Sequence, residues 1–146
     1  MELTGRTCSI EPFAAGQALV KAGFDIGPLV NVFHEELYKQ LSKRGLVIAG
    51  VPGNPGGDDF TIEGQFVRID AGNRAARYFL TFMAGAATLE VEGRLYHGEF
   101  PVMHLHARGS QSMGVLGGSS ERMLKTCAAG AANQLASQVL EALSER

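Results

Sequence analysis

Charge is scarce in this sequence, and several classes of function therefore lack the residues they need. Asp, Glu, Lys and Arg make up 19% of the 146 residues, against a usual share of about 25%. The 13 Lys and Arg against 15 Asp and Glu give a net charge of −2. No basic block is long enough to follow a phosphate backbone, so nucleic acid is not an expected partner.

Long apolar runs are also absent. The longest uncharged stretch is shorter than the roughly 20 residues that a membrane-spanning helix needs, so we expect no transmembrane segment. The opening residues, MELTGRTCSI, contain neither the cationic block nor the apolar block of a signal peptide. We expect no signal peptide within this chain, and a chain from which one had been removed would read the same way.

Cysteine is rare, with Cys8 and Cys127 at opposite ends of the chain. Two cysteines this far apart do not match the short spacings of metal-binding motifs. Burial as free thiols is the favoured state, because a free cysteine behaves as a small hydrophobic residue. A disulfide between the two ends is the alternative, and it would require an oxidising compartment.

Catalytic motifs are missing as well. No serine lies in a GxSxG turn, and neither cysteine lies in a nucleophile motif. The segment GVLGGSSE has glycines before a helix start, but it lacks the lysine and the spacing of a phosphate-binding loop. We therefore predict a protein that is not an enzyme and that uses no cofactor.

Glycine and apolar residues are plentiful. Glycine accounts for 19 of the 146 residues, nearly twice the usual share of about 7%, which favours strands joined by tight connections. Apolar residues make up 45%. Length and composition together predict one folded domain over residues 1–146.

Apolar periodicity predicts two main helices and four or five strands. Spacings of three and four indicate a helix over residues 28–44 and a closing helix that begins at Ser119 or Ser120. Two further features are a bulge or twist near Gly64 and a loop over residues 109–119. Strands are predicted at residues 6–13, 46–51, 60–70, 87–96 and 100–108. The order β-α-β-β-β-β-α predicts an α+β fold, with a mostly antiparallel sheet and both helices packed on one face.

One link between two predicted strands is unusually apolar. This link begins after Arg77, and no charged residue lies between Arg77 and Glu90. Its large side chains are Tyr78, Phe79, Leu80, Phe82 and Met83. Either they pack in the core or they form an interface, because interfaces favour aromatic residues and Met. Peripheral contact with a membrane is the weaker option, since few cations lie nearby.

Two pairs of residues are candidate sites. Arg74 and Arg77 flank a turn beside Gly72, where they would hold an anion together, although ordinary surface ion pairs are the favoured interpretation. His104 and His106 lie two apart in HLH and so on one face of a strand. They are weak metal candidates, because the local pattern lacks a third ligand.

Three segments carry a family resemblance: LSKRGL at residues 41–46, AGNRAARYF at 71–79 and FMAGAATLEVEG at 82–93. From about residue 29 onward the chain resembles the bacterial family called domain of unknown function 4410. The link is bulkier here than the glycine-rich link of that family. The resemblance implies a small protein of the periplasm or cell envelope, since many members look like lipoproteins.

Two functional hypotheses follow. The first is a non-enzymatic, envelope-associated module that binds an envelope protein or associates into a homo-oligomer, through its sheet edge or through residues 78–83. The second is a small-molecule or lipid-binding protein in which the apolar link lines a pocket beside Arg74 and Arg77.

Overall fold

The computed structural model describes residues 6–21, 26–48, 60–70, 87–111 and 120–144. The elements of these residues are, in chain order, β1 (Thr7–Ile10), β2 (Ala14–Ala15), α1 (Gln17–Lys21), α2 (Gly27–Ser42), β3 (Val47–Ile48), β4 (Phe60–Asp70), β5 (Ala87–His97), β6 (Phe100–Gln111) and α3 (Ser120–Ser144).

The sheet is mixed, with strand order β3-β1-β4-β5-β6 and the two-residue β2 paired to β4. The parallel ladders that β1 and β2 form are short. The antiparallel ladders β4–β5 and β5–β6 run along nearly the whole length of their strands. The fold is therefore α+β with a mostly antiparallel sheet, as the sequence predicts.

Both long helices pack on one face of the sheet. Helix α2 has Pro28 in its first turn, where the missing N–H has no helical partner, and Gly45 takes a φ of 93° just beyond its end. Helix α3 contacts α2, β5 and β6. The buried residues of α2 are Leu29, Phe33, Leu37 and Leu41, and those of α3 include Cys127, Ala131, Leu135, Val139 and Leu143. This is the two-layer packing that the periodicity indicated.

The irregularity of β4 lies at Val67 and not near Gly64, where the sequence predicted it. Gly64 pairs regularly with Gly93, and the register shifts between Phe66 and Arg68. The extra residue at Val67 shifts the alternation by one position, so that Ile69, which pairs with the buried Leu89, lies on the same face as Ile62 and Phe66. The core face of β4 is thus continuous across the bulge.

Gly64 has a different role. A Cβ atom at this position would lie 2.6 Å from the ring of Phe13. Phe13 is 2% exposed, and its ring centroid lies 4.7 Å from that of Phe33. The glycine provides the space in which this aromatic cluster packs.

Two further expectations are settled by the described residues. Gly109 does not begin a loop, because β6 continues to Gln111. Cys8 and Cys127 are both buried thiols that are not joined by a disulfide, so the alternative of a disulfide between the chain ends is wrong. The Sγ of Cys127 lies 3.5 Å from the carbonyl oxygen of Ala87, which gives the thiol a buried acceptor.

No helix within the described ranges is both long and apolar enough to cross a membrane.

Candidate functional site

The face of the sheet opposite α2 and α3 is polar, and we call it the outer face. Strand alternation buries Leu89, Val91 and Leu95 toward the helices and sends the residues between them outward. The acidic and basic side chains that the described residues place on the outer face include Glu63 and Arg68 of β4, Glu90, Glu92 and Arg94 of β5, and His104, His106 and Arg108 of β6. This face brings together charges from three strands.

Glu90 is the centre of a group of three basic side chains on the outer face. Its Oε1 lies 3.8 Å from Nη1 of Arg68 and 3.9 Å from Nε of Arg108. Its Oε2 lies 3.6 Å from Nε2 of His106. The Glu90 side chain is 20% exposed, whereas each of its three partners, Arg68, His106 and Arg108, is more than half exposed. Such half-solvated pairs contribute only about 0 to 1 kcal/mol each, so the group sets local charge more than stability.

A shallow, open depression of about 590 Å³ lies beside this group on the outer face. Its ionisable lining residues are Glu11, Glu63, Glu92, Arg94 and His104. Tyr96 donates a hydrogen bond from its hydroxyl to Oε1 of Glu63 at 3.0 Å. Among the described side chains, three carboxylates and one arginine line the depression, whereas two arginines and one carboxylate form the group at Glu90. The outer face therefore has an acidic part, at the depression, and a basic part, at Glu90.

Strand β6 is the last strand at one end of the described sheet, and helix α3 reaches its outer edge. The backbone N–H of Arg108 donates to Oε1 of Gln134 at 2.6 Å. The N–H of His106 donates to Oε1 of Gln138 at 3.2 Å, and Nε2 of Gln138 donates to the carbonyl oxygen of His106 at 2.5 Å. Two glutamine side chains thus form hydrogen bonds with backbone groups that would otherwise be open to a neighbouring strand.

His34 of α2 lies on the helix side of the sheet. Its Nε2 accepts a hydrogen bond from the backbone N–H of Phe13 at 3.2 Å, and its ring meets those of Phe13 and Phe33 edge-on. Burial lowers the pKa of His34 below its usual value. The accepting nitrogen is unprotonated, which fits a neutral imidazole in an apolar cluster.

The residues proposed from sequence separate into two groups. Arg74, Arg77 and the interface candidates of residues 78–83 lie outside the described residues. His104 and His106 both lie on the outer face, with His104 at the depression and His106 beside Glu90. Within the part of the chain that the structure describes, no three His, Cys, Asp or Glu side chains are grouped as a metal site would need.

Sequence reasoning missed Glu90, Gln134 and Gln138. The alternation in LEVEGRL marks Glu90 as outward-facing, but only the register reveals that Arg68 and Arg108 flank it. The two glutamines lie one helical turn apart, a spacing that carries no sign of a strand beside them.

The family model described as "Domain of unknown function (DUF4410)" matches residues 25–136. The chain belongs to this family. A comparison with curated proteins found no match to the chain.

Several solved bacterial structures share the fold. Protein XCC0632 from Xanthomonas campestris, assigned to DUF330, superposes with a TM-score of 0.65 at 12% identity, covering 99% of this chain and 88% of that one. Lipoprotein GNA1162 from Neisseria meningitidis has a TM-score of 0.52 at 10% identity, covering 97% of this chain and 99% of its own. The PelC dodecamer from Paraburkholderia phytofirmans has a TM-score of 0.50 at 11% identity, covering 90% and 89%. At these identities the likeness shows the fold alone.

Proposed function

We propose that this chain is a non-enzymatic, envelope-associated module that associates with further copies of itself through the outer face of its sheet. The observation that carries the proposal is the division of that face into an acidic part and a basic part. The acidic part contains Glu11, Glu63 and Glu92, and the basic part contains Arg68 and Arg108 around Glu90.

A face divided in this way is complementary to itself. When two copies meet about a two-fold axis, the same patch of each copy contacts the other in reversed orientation. The acidic part of one copy then faces the basic part of its partner, and the reverse contact forms at the same time. Complementary charge of this kind favours encounter and fixes the relative orientation of the two copies.

The exposure of the outer face also supports its use as a contact surface. His104, Glu92 and Arg94 are exposed side chains on one continuous face, and α2 and α3 both pack on the opposite face. Residues 78–83 remain a second proposed contact, because their aromatic composition is typical of interfaces.

Relatives in fold support the cellular setting and the mode of action. GNA1162 is named as a lipoprotein and PelC was solved as a dodecamer. By analogy, we place this chain in the envelope and expect a homo-oligomer, with another envelope protein as the alternative partner.

Light scattering of the purified chain at increasing concentration tests the proposal. We expect association that weakens as salt is raised, because exposed charges are screened beyond about 10 Å at 0.1 M ionic strength. Glu92→Lys reverses a charge in the acidic part and should weaken association by roughly ten-fold or more, a change of about 1.4 kcal/mol.

The matched control is Glu35→Lys, which makes the same change at an exposed position of α2. It should leave association within about two-fold of the unmodified chain, as expected for a charge away from the interface. A chain that stays monomeric at every concentration would overturn self-association. Equal effects of the two variants would overturn the outer face as its site.

A second candidate function is binding of a small charged molecule in the depression. Its volume of about 590 Å³ falls within the usual range of ligand sites, about 300–1,000 Å³. Charged residues such as Glu63 and Arg94 line it, which favours a polar ligand over a lipid tail. Native mass spectrometry of the chain purified from cells tests this candidate, since a retained small molecule that is lost from a Glu63→Ala variant would support it.

A further inference from the structure

Strand β6 has an outer edge that faces away from β5. This strand has 12 residues, and within the described sheet it pairs only with β5. A long edge strand presents unpaired N–H and C=O groups on which another strand can add. A second copy of the chain would bring an identical edge, so uncontrolled pairing of β6 with β6 is the specific hazard.

The first part of β6 is poorly suited to such pairing. Pro101 has no N–H to donate. The register of β6 on β5 shifts at Val102, since Leu95 pairs with Met103 and Tyr96 with Pro101. Proline and bulges are both features by which natural edge strands avoid pairing with other chains.

The later part of β6 has neither feature, and there the glutamines of α3 take the place of a strand. The N–H groups of His106 and Arg108 donate to Gln138 and Gln134 respectively, and the C=O of His106 accepts from Gln138. An amide side chain carries the same donor and acceptor groups as a peptide unit. The contact of Gln138 with His106 uses both groups, as a paired residue of an adjacent strand would.

We propose that Gln134 and Gln138 block the edge of β6, so that a second copy of the chain cannot add its own β6 there. The blocked edge is separate from the outer face, because it uses backbone groups in the plane of the sheet. The chain would therefore be able to associate through its face while its strand edge stays closed. This proposal stands whether or not the outer face is an interface.

Hydrogen exchange gives the first test, with His104 as an internal reference. Its N–H points away from β5, because His104 lies two residues before His106 in an unbroken register, and neither glutamine bonds to it. We expect the amides of His106 and Arg108 to exchange roughly ten-fold or more slowly than that of His104, because their hydrogen bonds must open first. Equal rates at the three amides would overturn the proposal.

The second test removes both side chains with Gln134→Ala and Gln138→Ala together. The amides of His106 and Arg108 should then exchange as fast as that of His104. Light scattering at high salt, where contacts between charged faces are suppressed, should show self-association at least roughly ten-fold stronger than in the unmodified chain. Adding His106→Pro, which removes one of the freed amides, should reverse the gain.

Matched controls are Gln17→Ala and Gln40→Ala together, since these glutamines lie on α1 and α2. Circular dichroism confirms that each variant is folded. Faster exchange without any gain in mass would overturn the blocking role, and so would an equal gain in the control.

Discussion

Gly109 of β6 lies directly against the backbone of Cys127 in α3. A Cβ atom at position 109 would overlap the carbonyl group of Cys127 and would lie 2.9 Å from its Cα. Backbone is thus packed on backbone at this point, with no side chain between the strand and the helix. Such a contact fixes the distance between α3 and β6, and hence the reach of Gln134 and Gln138 to the strand edge.

Gly109→Ala should therefore destabilise the fold by about 1 to 3 kcal/mol or more, since neither backbone can move aside easily. Gly130→Ala is the matched control on α3. A Cβ at position 130 would lie 3.8 Å from the Cα of Gly109, an ordinary contact, and alanine favours a helix over glycine by roughly 0.5 to 1 kcal/mol. Chemical denaturation measures both changes, and equal effects would contradict the close contact.

Phe13→Ala should cost about 3 to 5 kcal/mol, the usual range for removing a buried phenylalanine. Phe13 is 2% exposed and packs on Phe33 and Phe66 while covering Gly64. Its control is Phe100→Ala, at a position that is 78% exposed, where the change should stay within about 0.5 kcal/mol. Urea unfolding with both variants measures the difference, and a small loss at Phe13 would show that the cluster repacks.

The predicted and the observed fold agree where local pattern decides the structure. Residues 60–70 form β4 with the predicted bounds, because alternation and flanking turn residues are local signals. The bulge was misplaced because the role of Gly64 depends on Phe13, which lies far away in sequence. Likewise, the group around Glu90 exists only through the register of three strands. Contacts between distant segments carry the candidate site, and they leave little mark on a single segment.

Glu90→Gln should lower stability by about 1 kcal/mol or less, since it removes the charge that offsets Arg68 and Arg108. The loss should shrink at high salt, where the repulsion between the remaining arginines is screened. Glu35→Gln is the control, because Glu35 is an exposed residue of α2 away from the outer face, and its effect should be close to zero. Thermal unfolding at low and high salt tests the pair, and a loss that does not depend on salt would point to packing instead of charge.

Zinc should leave the melting temperature of the chain unchanged. His104 and His106 share the outer face, but the neighbour of His106 there is Glu90, which already lies near two arginines. Zinc sites in proteins usually have at least three protein ligands at about 2.0 to 2.3 Å. A rise in melting temperature with zinc that is lost in His104→Ala would reverse this expectation and make the pair a metal site.

His34 should make the fold less stable in mild acid. Burial lowers its pKa below the usual 6.5, so the unfolded chain binds a proton at a higher pH than the folded chain does. Stability rises with pH wherever the unfolded state holds more protons. The contribution of neutral His34 is therefore fully present above pH 6.5 and is lost progressively as the pH falls from there through the lower folded pKa.

The structural cause is the hydrogen bond from the N–H of Phe13 to Nε2 of His34, because a protonated Nε2 has no lone pair to accept it. His34→Gln removes the titrating group but keeps a side-chain acceptor. Unfolding free energies of both proteins from pH 8 to pH 5 should converge as the pH falls, since only the unmodified chain loses the His34 contribution. A constant difference across this range would show that His34 titrates alike in the folded and unfolded chains.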